Sequence, residues 1–495
     1  MLQACPALYL TAEMRALEAS AFATNPQPPL MERAGAAAGE RARALAGDGR
    51  GVLVLAGPGN NGGDALEVAA HLKRLFYRVD VVFPNDVARL SADAQSALRK
   101  WHAEDGKLLQ SVPPRTRYDL VVDGLFGIGL VRPVSGPYAE LITQVNGLSG
   151  RKLALDVPSG INADTGAVMG VALRATHTIT FIARKPGLYT LDGPDHCGEV
   201  STALLGLEPE ALRAPQGRLV DGTLLATPLI TRPRNFHKGR AGSVAIVGGA
   251  TGMVGAALLA GRAAIRLGAG RVYLGLLADT PPQVDMVQPE LMLRVPGMLL
   301  TGGAVTAAAF GPGMGTDAGA QRLLAQGMNL EVPMVIDADA LNMIAAHPVL
   351  QSALAGRTAA SLLTPHPAEA ARLLGTDSAA VQADRVEATC RLAARFKSWV
   401  ALKGNGTVIA SPDGKWWINT SGNPGMASAG MGDVLTGMIA SLLAQGLDAG
   451  PALVAGVYLH GAAADSAAAK GHGPVGLTAS EVVDAARALL NSGAG

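Results

Sequence analysis

Cysteine is scarce: three residues in 495, Cys5, Cys197 and Cys390, cannot build a disulfide framework and match no zinc-ligand spacing. Their scarcity points to a reducing compartment, and the expected location is the cytoplasm. Charge is scarce as well. Asp, Glu, Lys and Arg make up 16% of the chain, and 41 basic against 40 acidic residues leave a formal charge of +1. A nucleic-acid binder would carry a basic excess on one face, and a membrane-surface protein a polybasic segment, so neither partner is expected. No basic stretch followed by an apolar run opens the chain. Residues 241–261 carry no charge, but six glycines among them suit a strand, a turn and a buried helix better than a bilayer span.

The chain is rich instead in apolar residues, 49%, and in glycine, 62 of 495 residues. That glycine share, about 13%, is nearly twice the usual ~7% and has no collagen period, so the excess belongs in turns. Short apolar runs alternate with longer alanine- and leucine-rich helical patterns, the mark of parallel α/β sheets. Strands are expected at 52–56, 78–83, 119–122, 152–155 and 178–181. A second series falls at 243–247, 271–276, 307–310, 333–336, 360–363 and 399–402, followed by a helical stretch from 433 to about 490. Between the two series the sequence is rich in proline and arginine. The expected organisation is an N-terminal domain over 1–213, a linker over 214–231 and a C-terminal domain over 232–495.

In open parallel sheets ligands sit beyond the carboxyl ends of the strands, so the residues just after each strand matter most. In the first series these are GPGNNGGD (57–64), DGLFG (123–127) and DVPSG (156–160). In the second they are GPGMG (311–315), DADA (337–340), TPHP (364–367) and KGNGT (403–407). Two crowns of glycines, short polar side chains and carboxylates predict two ligand sites. The first motif holds a formal GxGxxG, a weak dinucleotide signal alone, because the acidic partner expected about 20 residues on would be Asp80, inside a strand. Asn61, Asp123 and Ser159 follow three different strands and together offer hard oxygen donors of low total charge. They read either as a monovalent-cation site or as separate turn caps. In the C-terminal part, GNPGMASAGMGDVLTG (422–437) runs a glycine loop into Asp433 and an apolar helix. Backbone N–H groups at such a helix start favour a transferring phosphoryl group, and Asp433 is placed to accept a proton or to cap the helix. His366 reads as a substrate contact or a local cap, KGNGT as a phosphate loop or a plain turn. Asp337 and Asp339 read as magnesium partners or strand-end caps.

GPGNNGGD, DGLFGIGLVRPVSGP (123–137) and LDVPSGINADTG (155–166) together resemble the YjeF N-terminal family, the NAD(P)HX epimerases. By that resemblance the first domain is a Rossmann-like three-layer sandwich. Asn60, Asn61, Gly62, Gly63 and Asp64, with Gly127, Ile128, Gly129, Leu130, Val131, Arg132 and Pro133, would hold the hydrated dinucleotide. Asp156 would contact substrate and take part in proton transfer, and Asn61, Asp123 and Ser159 would bind K+. The motifs GPGMG, DADALN, TPHPAE, KGNGT and GNPGMASAGMGDVLTG occur in the order of the ADP-dependent NAD(P)HX dehydratases, which have a ribokinase-like fold. That likeness implies nucleotide contacts at Lys403, Gly404, Asn405, Gly406, Thr407 and Gly432, and Mg2+ arriving with ADP. It implies substrate contacts at Gly313, His366, Asp433 and Ala256 or Leu258. Joined in one chain, the domains resemble the bifunctional NAD(P)H-hydrate repair enzymes, implying NADHX, NADPHX and ADP as small-molecule partners and a homo-oligomer. Two other readings stay open at this point: a ribokinase-type small-molecule kinase in the second domain, and a non-catalytic nucleotide-binding module in the first.

Overall fold

The structure, a computed structural model, describes residues 2, 5–23, 27–114, 117–225, 229–301, 303 and 305–492. It divides into two compact units, Ala7–Gly217 and one built mainly from Arg218–Gly495.

In the first unit seven parallel strands form one sheet in the spatial order Leu108–Leu109, Arg78–Val82, Gly51–Ala56, Leu120–Gly124, Arg151–Leu155, His177–Phe181 and Glu199–Ala203. The run GVLVLA of the central strand is buried at every position, as expected of a strand covered on both faces. Alternate residues serve different layers. Val52, Val54, Leu120 and Val122 pack with helices Leu30–Ala46, Asn60–Arg74 and Ala92–Ala103, whereas Leu53, Leu55 and Val121 pack with helix Pro137–Asn146. This is a three-layer sandwich. The chain order reverses between Gly51–Ala56 and Leu120–Gly124, and at such a switch point the connections diverge and leave a crevice.

The second unit's sheet includes, in order, Gly217–Val220, Trp416–Asn419, Val408–Ala410, Trp399–Leu402, Ser361–Leu363, Met334–Ile336, Ala307–Phe310, Ser243–Gly248, Arg271–Leu276 and Met292–Arg294. From Trp399–Leu402 to Met292–Arg294 all pairings are parallel, and the hairpin Val408–Ala410 with Trp416–Asn419 adds antiparallel strands. Helix Met431–Ala444, buried at every residue from Val434 onward, packs against helix Val254–Arg266.

Expected strand positions agree with the sheets to within one or two residues. Two differences stand out, and the uncharged segment folds as expected. The stretch 214–231 is not wholly a linker, because Gly217–Val220 joins a sheet beside Trp416–Asn419; its residues 226–228 lie outside the described ones. The C-terminal helical stretch is three helices, Met431–Ala444, Ala449–Ala467 and Ala479–Ser492, interrupted at Gly446 and Gly473, both at positive φ. The uncharged 241–261 segment becomes strand Ser243–Gly248 and part of helix Val254–Arg266, and among the described residues no helix is long and apolar enough to cross a membrane.

The GPGNNGGD turn requires glycine where backbone approaches backbone. A Cβ on Gly57 would lie 1.8 Å from the Leu125 carbonyl oxygen, whereas one on Gly59 meets nothing within 4 Å. Gly57→Ala is therefore expected to lower hydrogen-exchange protection of the Gly51–Ala56 amides by about 1–3 kcal/mol, the usual cost of overpacking. Gly59→Ala, at a helix N-cap, should cost less than about 1 kcal/mol in the same measurement.

Candidate active sites

At the switch point of the first sheet lies a cavity of about 450 Å³. Asn60, Asn61 and Asp64 reach it from the start of helix Asn60–Arg74, and Gly127, Ile128, Gly129 and Leu130 from the loop after Leu120–Gly124. Asp156 reaches it from the end of strand Arg151–Leu155, where its φ of +64° marks a conformation rare for a residue with a side chain. The remaining expected residues stand apart: Gly62 and Gly63 are buried in the helix's first turn, and Val131, Arg132 and Pro133 are exposed and do not line the cavity.

The sequence reading missed Lys185, Glu18 and Arg15, which also line this cavity. Lys185 is 1% exposed, and its ammonium donates to Asp156 Oδ1 (2.5 Å), Thr180 Oγ1 (2.8 Å) and the Phe181 carbonyl (2.8 Å). All three of its protons are thereby committed. A signal existed, since Lys185 lies four residues beyond strand His177–Phe181, at a strand end where no glycine motif draws the eye. Asp64 is also buried: loss of water, then the charges of Asp156, Glu18 and Glu67, push its carboxyl well above the usual range against the pull of Lys185.

Asp123 and Ser159 meet directly. Ser159 donates from Oγ to Asp123 Oδ1 (2.6 Å) and from its backbone N–H to Oδ2 (2.8 Å). Asp123 is fully buried, and burial pushes it up to about 6 despite the hydrogen bonds from Ser159 and Leu125. Asn61 donates to the Leu155 carbonyl (3.1 Å), which leaves its buried Oδ1 without a hydrogen-bond partner. The buried Asp123 carboxylate and the unpartnered Asn61 amide oxygen are each hard oxygen donors of the type that a cation such as K+ takes.

In the second unit, strand ends again meet. Lys403 Nζ donates to Asp337 Oδ1 (2.7 Å), Thr436 Oγ1 to Asp337 Oδ2 (3.0 Å), and a Cβ on Gly432 would be 3.4 Å from both the lysine nitrogen and that carboxylate. Asp337 therefore spends its carboxylate on a lysine and a threonine and makes no side-chain cap to the helix that follows it. Burial weakens the charge on Lys403, but Asp337, Glu369 and Asp433 outweigh it and raise the lysine. Asp433 sits in the first turn of helix Met431–Ala444, whose N-cap is Gly430 at φ +86°, so Asp433 is not the cap. Burial foremost, then Asp337, pushes Asp433 up to about 6, with Lys403 opposing.

A second cluster brings Gly313 beside Met253 and Ala256; a Cβ on Gly313 would lie 3.1 Å from the Ala256 methyl. Asp339 accepts from the Gly315 N–H (2.9 Å). His366 does cap its helix: Nδ1 accepts from the Ala368 N–H (3.1 Å) and Nε2 faces Glu369 (3.0 Å), while the ring stays 47% exposed. In KGNGT, Thr407 Oγ1 closes the turn onto the Gly404 carbonyl (3.0 Å), and Gly404, at φ +145°, lies against the buried Arg385 guanidinium. The glycine loop is tied down by Asp465, which accepts from the Gly422 N–H (2.8 Å) and Asn423 Nδ2 (2.9 Å). Among the described residues no group of three or more His, Cys, Asp or Glu could hold a metal. Mg2+ usually binds through nucleotide phosphates and water with one or two carboxylates, and Asp337 and Asp339 both act on Asp433 here.

The sequence profile of the family described as "NAD(P)H-hydrate dehydratase" matches residues 244–487, and that of "YjeF-related protein N-terminus" matches residues 27–187. The chain is 38% identical over 494 residues to a bifunctional NAD(P)H-hydrate repair enzyme of Coxiella burnetii, covering 98% of this chain and 99% of that protein. It is 37% identical over 472 residues to the corresponding Escherichia coli enzyme, covering 93% and 89%. A solved ADP/ATP-dependent NAD(P)H-hydrate dehydratase from Bacillus subtilis, co-crystallised with ATP and Mg2+, is 33% identical, with a TM-score of 0.48, over 54% of this chain and 94% of its own.

The Lys185–Asp156 pair gives a direct test of the first site's electrostatics. Lys185→Met leaves a carboxylate without its cation and is expected to destabilise the first unit by about 3–5 kcal/mol. Lys185→Met combined with Asp156→Asn should recover most of that loss in denaturant melts, because no orphaned charge remains.

Proposed function

The chain belongs to the family of bifunctional NAD(P)H-hydrate repair enzymes, and on that footing we propose that it interconverts the R and S hydrates of NADH and NADPH in its first unit and dehydrates the S hydrate with ADP in its second. The observation that carries this reading is the presence, in one chain, of two separate sets of buried strand-end carboxylates paired with lysines, each beside a glycine-rich turn. Cytoplasmic location and assembly as a homo-oligomer go with the same reading.

A nicotinamide hydrate carries a hydroxyl on a ring carbon next to nitrogen. Hydroxide leaves poorly, since water has a pKa near 15.7. In the second unit Asp433 accepts the hydroxyl proton as the oxygen attacks the terminal phosphorus of ADP, releasing AMP. Backbone N–H groups of residues 429–432 and the Lys403 ammonium face the charge on the moving phosphoryl group. The ring nitrogen then expels phosphate, and loss of a ring proton restores the double bond of NAD(P)H. Mg2+ bound to the ADP phosphates would neutralise part of their charge. Gly313, Ala256 and His366 would hold the ring, and Lys403, Gly404, Asn405, Gly406, Thr407 and Gly432 the nucleotide.

In the first unit the cavity takes the ring, with Asn60, Asn61, Asp64 and Gly127–Leu130 around it and Asp156 as a proton-transfer group; Gly62 and Gly63 fix the turn, and the exposed Val131, Arg132 and Pro133 meet the outer part of the dinucleotide. K+ held by Asn61, Asp123 and Ser159 would supply positive charge to a buried carboxylate and so set the loops that shape the cavity.

Asp433→Asn keeps the size of the side chain and removes the base, so ADP-driven return of reduced-nicotinamide absorbance from S hydrate should fall by roughly 10²–10⁴. In the unsubstituted protein, protonation of Asp433 below its value of about 6 removes the base, so the rate should fall towards acid pH and level off above about 7. Unchanged turnover in the variant, or a rate flat to pH 5, contradicts the role.

Potassium has its own check. Exchanging K+ for a bulky tetraalkylammonium ion should slow interconversion of the epimers while leaving dehydration of pure S hydrate unaffected. Equal epimerisation in both salts contradicts the cation site.

A further inference from the structure

Two carboxyl groups from different elements share the first cavity in opposite surroundings. Asp156 accepts from Lys185 Nζ at 2.5 Å and from Thr180 Oγ1 at 3.3 Å, so its charge is met by a buried cation. Asp64, from helix Asn60–Arg74, meets no such cation at contact distance among the described residues. The charges acting on it are Asp156, Glu18 and Glu67, with Lys185 opposing them from beyond its own three hydrogen bonds. Arg15 and Asp93 also line the cavity, and Arg15 acts on Glu18. Burial and like charge both favour the neutral form of Asp64. Two carboxyls in a single pocket, one paired with a lysine and one pushed towards its neutral form, suit the division between a base and an acid.

We propose that Asp64 is the catalytic partner of Asp156 in epimerisation, one carboxyl releasing the ring hydroxyl as water while the other takes a proton from the water that replaces it. The proposal rests on the reading of the first unit as an epimerase. The bonds balance without a cofactor. The proton of the Asp64 carboxyl goes to the hydroxyl oxygen, the C–O bond breaks with its electron pair on oxygen, and the ring nitrogen lone pair forms a C=N+ bond. A water molecule attacks the opposite face of that carbon, the π electrons return to nitrogen, and the water's surplus proton passes to Asp156. The hydroxyl carbon is inverted, and the proton has moved from one carboxyl to the other. The next inversion in the reverse sense returns it, as does exchange with solvent at the cavity mouth. Lys185 is the positioning residue of the pair, since its committed donors fix which carboxyl begins charged.

The test uses the full chain with the resolved R hydrate of NADH in H2 18O. The unsubstituted protein should form S hydrate and bring one solvent oxygen into the hydroxyl per inversion, read by mass spectrometry. Asp64→Asn keeps the shape and the backbone contacts of the turn but has no proton to give as an acid. Its epimerisation kcat should fall by roughly 10²–10⁴ with little change in KM. Dehydration of S hydrate by the same variant should stay at its unsubstituted rate, and thermal stability should hold or rise, because a desolvated carboxyl has been replaced by a neutral amide. An undiminished kcat with a raised KM would make Asp64 a binding residue only and overturn the proposal. Inversion without uptake of 18O would do the same, because the hydroxyl would never have left. If the unsubstituted chain fails to invert the hydrate at all, the epimerase reading itself falls, a result distinct from either of these.

Discussion

A lysine ammonium held against a buried carboxylate, Lys185 on Asp156 in one unit and Lys403 on Asp337 in the other, is the interaction around which each site is arranged. Parallel strands make such a device necessary. Their apolar runs are covered on both faces, so polar side chains collect where the strands end. Carboxylates gathered there lose water, and a lone buried charge costs several kcal/mol. A lysine from beyond another strand's end offsets that cost and fixes where negative charge stays. Each site also holds a carboxyl that no lysine among the described residues contacts, Asp64 in the first and Asp433 in the second, and burial drives both above the usual range. Proton transfer near neutral pH draws on this contrast between a carboxyl matched by a cation and one that is not.

The backbone at both sites serves the same end. Gly57 and Gly62 let the first turn fold back on itself and on Leu125, which brings Asn61 and Asp64 to the switch point. In the second unit Gly430 turns the chain into helix Met431–Ala444, so that Asp433 lies in its first turn close to Asp337 and Lys403. In the second unit Asp465 and Arg385 hold flanking loops through hydrogen bonds to Gly422, Asn423 and the Leu402 carbonyl.

Much of this was legible in the sequence, and what was missed has identifiable causes. Continuous apolar runs located the central strands, because burial on both faces leaves no other composition for them. Strand Glu199–Ala203 was missed because EVSTA, only half buried at the sheet's edge, carries no apolar run. The hairpin Val408–Ala410 with Trp416–Asn419 was missed although Asp413-Gly414, with Gly414 at φ +85°, carried a turn signal. Asn61, Asp123, Ser159 and Asp156 were singled out because each lies at or near a strand end. Lys185 was not, since its burial depends on Thr180, Phe181 and Asp156 closing around it, a tertiary fact with no local mark beyond its place after a strand. His366 carried two local signals at once, and the capping one is realised in the structure while the ring edge remains open. Asp337 shows the reverse: a position that suits a helix cap is used for an ion pair.

The central claim is that one chain holds two active sites that act in succession on a damaged coenzyme. Its most direct measurement is the extent, not the rate, of recovery when a mixture of R- and S-hydrated NADH is incubated with ADP and the absorbance of reduced nicotinamide is followed to completion. The account predicts full conversion of both epimers by the unsubstituted chain, and recovery of little more than the S fraction, over the same time, by Asp156→Ala. Accumulation of a stable phosphorylated hydrate, or no return of absorbance with either nucleotide diphosphate or triphosphate, would contradict it.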